Sequence, residues 1–187
     1  PMTPPALPPS TITGPVLSVG RAMKQEAITI AGVNVETGDR VRWVPANSST
    51  CSTNGLDPQA YVTGVVEAGG ALKFSIATPG LYEMCYQWRY ASTPHARTTE
   101  FTPIPGVKLL LIHLEESSIL PRGTAIGCAT KITIVGAAFD ALPGLVIRCS
   151  FGPESGELVS TLPLMRNDTH MLCQTPTTLT QAGTLGF

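Results

Sequence analysis

The side chains that could do chemistry are few and scattered. A serine–histidine relay needs a nucleophile on a sharp elbow, and the chain has no GxSxG segment. Ser92, Thr93 and His95 do fall together, in YASTPHARTT. That stretch reads as a polar hairpin loop or an interdomain segment. Glu115 and Glu116 are adjacent, so in an extended strand they face opposite ways. Glu154 and Glu157 flank Gly156 in a turn. None of these forms a general acid–base pair. No catalytic residue is therefore expected, and the chain reads as a non-enzyme. An activity that vanished on replacing His95 would reverse that reading.

Metal chemistry has equally little to work with. A blue-copper site needs two histidines, a cysteine and a weak axial methionine. Met84, Cys85 and His95 are present, but no histidine precedes His95. There is no CxxC, and His95, His113 and His170 lie far apart, so zinc spacing is absent. Asp57 and Asp140 are isolated, with no DxDxDG run for calcium. No metal or other cofactor is expected.

What remains is covalent chemistry of the secretory route. Five cysteines occur, Cys51, Cys85, Cys128, Cys149 and Cys173, an odd number that suits paired disulfides with one left over. Asn47-Ser48-Ser49 and Asn167-Asp168-Thr169 are N-glycosylation sequons without a central proline. The segment PMTPPALPPSTITGP holds six prolines, with Thr3, Ser10, Thr11 and Thr13 interleaved as O-glycosylation candidates. Its composition also suits a plain extended linker. Covalent glycans are expected.

Composition narrows the partners. Charged residues make up only 13% and the formal net charge is -1. Such balance leaves no electrostatic footprint for nucleic acid or an anionic membrane. A chain with so few charges gains solubility from glycans, or buries its surface in an assembly. No apolar run reaches the ~20 residues of a membrane span. The longest, Val107 to Leu114, is interrupted by Lys108 and His113. The chain begins at Pro1 without a signal peptide, which reads as a processed protein or a piece of a longer one.

The elements that must position these groups are strands. EAITIAGVNV, RVRWVP, YVTGVVEAG, ALKFSIATPG and LYEMCYQWRY carry β-branched and aromatic residues in rough alternation between turn signals. Trp43, Tyr82, Tyr86, Trp88 and Tyr90 are read as strand residues facing a core, not as a glycan-binding stripe. TPIPG, with Pro103, Pro105 and Gly106, is the expected domain boundary. Beyond it come VKLLLIHL, ATKITIVGAAF, LVIRCSFG, ELVSTLPLMR, HMLCQTP and a weak tail, LTQAGTLGF. The reading is all-β: an arm over 1–15, one immunoglobulin-like sandwich over 16–105 and a second over 106–187. An echo links the halves: Ile28-Thr29-Ile30 with Gly32, and Ile132-Thr133-Ile134 with Gly136, each followed by an arginine strand with Arg42 or Arg148. The two glycines are expected to bend the strand at positive φ.

The second half resembles an IPT/TIG domain. The resemblance rests on Ile119-Leu120-Pro121-Arg122-Gly123-Thr124, Ile132-Thr133-Ile134-Val135-Gly136 with Phe139, Cys149-Ser150-Phe151-Gly152 and Cys173-Gln174-Thr175-Pro176, in that order. It implies an immunoglobulin-like sandwich over about residues 107 to 187 and a Cys149–Cys173 disulfide. Cys128 departs from the pattern, as an unpaired thiol or an intermolecular link. In the first half, Cys51 is paired with Cys85. The weak last strand is expected to leave an open sheet edge, and STITGPVLSV to fill that edge in the next copy. The function that follows is a self-associating structural protomer of an extracellular fibre or surface appendage. The alternative is an adhesion or ligand-binding segment of a receptor ectodomain, presenting NSSTCSTNGLDPQA and YASTPHARTT to a cell-surface protein or glycan.

Overall fold

The computed structural model describes residues 12–13, 17–32, 35–48, 51–52, 54, 56–88, 100–121, 125–152, 158–178 and 184–186. The fold is all-β and is dominated by antiparallel strand pairs. The chain divides into two compact units between Leu111 and Ile112.

The first unit holds β1 (Ile12–Thr13), β2 (Leu17–Arg21), β3 (Glu26–Thr29), β4 (Ala31–Gly32), β5 (Arg40–Pro45), β6 (Val62–Val65), β7 (Ala71–Phe74), β8 (Gly80–Gln87) and most of β9 (Thr102–Leu114). In its main sheet β6 pairs β5, β5 pairs β8, and β8 pairs β9; β2 joins the far side of β9. A second layer pairs β3 with β7. Alternation along each strand sorts residues to one face or the other. Val41 and Trp43 of β5, Tyr82, Met84 and Tyr86 of β8, and Leu72 and Phe74 of β7 meet in one buried core. The aromatic positions through Tyr86 are thus core residues, and Trp88 packs against them; Tyr90 lies outside the described residues.

The unit boundary falls six residues later than the expected 105/106, and TPIPG is not a linker. It lies inside β9. Glu83 pairs Lys108 while the next residue, Met84, pairs Ile104, so Pro105, Gly106 and Val107 bulge out of register. Gly106 has φ of 83°, which glycine adopts without a Cβ penalty. Proline and glycine inside a strand mark a bulge as readily as an end.

The second unit contains the end of β9, then β10 (Lys131–Ala137), β11 (Cys149–Gly152), β12 (Val159–Thr161), β13 (Met165–Arg166), β14 (His170–Gln174) and β15 (Thr184–Gly186). One layer runs β13-β14-β10, with His113 and Leu114 paired to Ala137 and Gly136. The other runs β12-β11-β15. Ile132, Ile134, Phe139, Phe151 and Met171 from both layers share the core. ELVSTLPLMR, expected as one strand, is split into β12 and β13, with Pro163 between them.

The echo between the halves is a shared wiring. In the first unit β3 pairs β7, while β5 pairs both β6 and β8. In the second, β10 pairs β14, while β11 pairs both β12 and β15. The matched Ile30 and Ile134 are both buried. The glycines do not serve as expected: neither Gly32 nor Gly136 has positive φ. Gly136 is needed for close approach instead. A Cβ there would overlap the His113 carbonyl oxygen and meet Phe139 Cζ at 2.7 Å. Arg148 also falls just before β11, not within it.

Candidate functional site

Cys85 sits on β8 between Met84 and Tyr86, so alternation turns it away from the aromatic core. It forms a disulfide with Cys51, Cα–Cα 5.8 Å, and packs with Val44 and Phe101 on the opposite face. Cys85 therefore lies on the other side of the strand from Tyr86 and Met84. Arg42 completes this small cluster. Its Nη1 donates to the Cys51 carbonyl at 3.0 Å, its Nε donates to Thr63 Oγ1 at 3.1 Å, and its guanidinium stacks over the Phe101 ring at 3.8 Å. Burial lowers the Arg42 guanidinium below its ordinary value. The result ties the loop after β5, with exposed Asn47, onto the outer face of the sheet.

The second disulfide joins Cys149 of β11 to Cys173 of β14, one from each layer. Cys128 is free and exposed. Its carbonyl accepts from Thr175 Oγ1 at 2.7 Å, and Thr175 itself is buried.

Beside Thr175 a groove of about 340 Å³ opens along the edge of this unit, lined by Leu162, Leu164, Pro176, Thr177 and neighbours. None of its lining residues is titratable, so it offers shape and apolar surface without acid–base groups. Its lining residues Leu162 and Leu164 are each more than 50% exposed.

The remaining sequence candidates do not converge. Asp57 caps a short turn, its Oδ1 accepting from the Gln59 amide at 2.9 Å. Asp140 pairs with Arg166 Nε at 2.6 Å. Glu115 is exposed and holds a turn through its carbonyl, which accepts from Ser118 Oγ. Cys85 is consumed by its disulfide and Met84 is buried in the core, so neither is presented to copper. Ser92, Thr93, His95, Glu154 and Glu157 lie outside the described residues, as do Thr3, Ser10 and Thr11. Among the described residues no three His, Cys, Asp or Glu side chains gather in a metal-binding group. Among the described residues no helix is long and apolar enough to cross a membrane.

The second sequon is the most ordered of the polar sites. Asn167 Oδ1 accepts from the amides of Thr169 at 3.0 Å and His170 at 2.7 Å, and from Thr169 Oγ1 at 3.3 Å. The carbonyls of Asp168 and Thr169 accept from the amides of Phe139 and Gly136, which fixes the turn against β10.

Two polar groups whose bonds sequence reading did not anticipate, the Asp39 carboxylate and the Tyr82 hydroxyl, organise the first core. Asp39 is fully buried and accepts from Tyr86 Oη at 2.7 Å. Tyr82 Oη donates to the Thr78 carbonyl at 2.7 Å. The signal for the second was available: a tyrosine just after a TPG turn at the head of a strand.

No family model matches the chain, and no curated protein is similar to it at a significant level.

Proposed function

We propose that this chain is a structural protomer of an extracellular fibre or surface appendage, built from two immunoglobulin-like units and joined copy to copy through sheet edges. The observation that carries this reading is a difference between two equivalent strands. By the shared wiring β15 corresponds to β8. The outer edge of β8 is covered by β9. Among the described residues nothing pairs with the outer edge of β15. An uncovered edge presents unpaired amides and carbonyls and so templates another strand. A head-to-tail contact of this kind that does not close on itself propagates as a filament.

The immunoglobulin-like assignment is supported by the pairing order and by the Tyr82 bond to a carbonyl upstream, a tyrosine-corner feature of such sandwiches. It departs from antibody-type domains in its disulfides. Cys51 follows the tryptophan strand, and Cys149 and Cys173 lie on β11 and β14. The IPT/TIG-like reading of the second unit rests on its ordered motifs. An oxidising extracellular compartment agrees with both disulfides.

The route of assembly differs from a donated STITGPVLSV strand. Ile12–Thr13 pairs with Ala31–Gly32, and Leu17–Arg21 joins β9 of the same chain. Donation would break those ladders, so the β15 edge is better met by an edge strand of the next copy, with the segment before Ile12 as a secondary tether. Electron microscopy and sedimentation of the purified chain test the proposal. Filaments or an oligomer ladder are expected, and excess peptide spanning Thr102–Leu114 should shorten them. Monodisperse monomers at high concentration would sink it. A receptor-type reading is favoured by one observation, the tethering of Cys51, in the loop after β5, through its disulfide and Arg42, which suits display to a partner.

A further inference from the structure

We propose that Asn167 carries an N-linked glycan and that this glycan shields the open edge of β13 from a second copy. At Asn47 the hydroxyl residue, Ser49, lies outside the described residues. At Asn167 all three sequon residues are exposed at the tip between β13 and β14. Three donors converge on Asn167 Oδ1, and among the described residues none bonds Nδ2. The side chain is therefore held by its oxygen, with its nitrogen left toward solvent. The turn backbone is anchored on its other side by the Phe139 and Gly136 amides. A bulky substituent at Nδ2 meets no buried surface and disturbs no ladder bond.

The chemistry is a group transfer. Asparagine Nδ2 forms a bond to the anomeric carbon of an oligosaccharide carried on a lipid pyrophosphate. The anomeric C–O bond breaks, the lipid pyrophosphate leaves with the electron pair, and a base on the transferase takes one Nδ2 proton. The acceptor motif is read as Asn-x-Thr with Asp168 at the central position.

The location gives the glycan a role. Among the described residues β13 is the outermost strand of its layer, pairing β14 alone. Leu164 and Met165 are each 54% exposed, and Met165 lies two residues, about 7 Å along a strand, from Asn167. Arg166 points away, with Nε on Asp140 and Nη1 donating to the Leu145 carbonyl at 2.7 Å. This edge thus has apolar surface and no outward charge on β13 to discourage pairing, which is how proteins commonly blunt an edge. A hydrated glycan one residue away supplies that barrier. The inference rests on the assembly reading only in that a blocked β13 would leave β15 as the edge of that unit used between copies.

The test expresses the full chain behind a secretory leader in eukaryotic cells and recovers both secreted and lumenal protein. Amidase release of N-glycans in heavy-oxygen water marks each glycosylated asparagine as labelled aspartate. Wild type and Thr169→Ser should carry the label at Asn167; Asn167→Gln and Thr169→Ala should lose one glycan's mass. An unlabelled Asn167 peptide from wild-type protein overturns the proposal, whether or not filaments form. Thr169→Ala should also sediment as larger or more heterogeneous species than Thr169→Ser. Equal size distributions for the two overturn the shielding role.

Discussion

The hydroxyl of Tyr86 donates a 2.7 Å hydrogen bond to Asp39 Oδ2, and both residues are wholly removed from solvent. The same carboxylate oxygen accepts from the Glu36 amide at 3.0 Å, and the Asp39 carbonyl accepts from the Val66 amide at 2.9 Å. One buried acid thus fastens the turn before β5 to β8 and to the end of β6. A buried acid of this kind is costly unless bonded, so each donor to it counts for more than an average hydrogen bond.

Replacing Tyr86 with Phe removes one donor and leaves the acid under-satisfied. The expected cost is about 2–3 kcal/mol, above that of an ordinary neutral bond. Urea unfolding should show a lower midpoint at unchanged slope. A double-mutant cycle with Asp39→Asn should give a clear coupling term; additive losses would mean the pair is not acting together.

Alkaline pH should unfold the first unit. Burial, and then its bond to Asp39, holds the Tyr86 phenol well above its ordinary value, and burial pushes Tyr82 up from 10.0 to about 12. Unfolded tyrosine ionises near its ordinary value while these two stay protonated in the fold. Their stabilising effect is therefore complete below pH ~10 and is lost as pH rises through the folded-state values. Thermal melts between pH 8 and 12 should show the transition temperature falling from about pH 10. Tyr82→Phe should flatten that fall.

Cys51→Ala with Cys85→Ala frees the loop after β5 over a sequence separation of 34. Loop-closure arguments put the loss at ~3–4 kcal/mol. The core aromatics lie on the other face of β8, so the near-ultraviolet signal of Trp43 should survive while the unfolding midpoint drops. A collapse of that signal in the native baseline would contradict the two-face arrangement.

Gly136→Ala should cost about 3 kcal/mol, more than an exposed strand glycine would, because the added methyl meets the His113 backbone and the Phe139 ring. Gly69→Ala serves as the contrast: it has φ of 74° but no atom within 4 Å of an added Cβ, so only backbone strain acts there, at roughly 1 kcal/mol. Denaturant midpoints of the two variants rank the effects, and an equal loss would leave the close approach at Gly136 without energetic weight.

Much of this architecture was legible in the residues themselves. RVRWVP is a strand with Val41 and Trp43 inside because alternation allows nothing else to bury them. Ile132 and Ile134 face the second core for the same reason. Turn signals separated these strands. Pairings across the chain were not legible. Pro105 and Gly106 look identical in a linker and in a bulge; only the register of β9 against β8 decides between them. Cys85 could face either side of β8 until Tyr86 and Met84 claimed the core face. STITGPVLSV was expected to fill an edge of the next copy, yet its Ile12–Thr13 pairs with Ala31–Gly32 of its own chain, and the weak last strand, β15, pairs with Ser150–Gly152. The physical reason is that alternation and turn propensity act between residues near in sequence, whereas strand pairing, close backbone approach and the burial of Asp39 depend on segments tens of residues apart meeting in space.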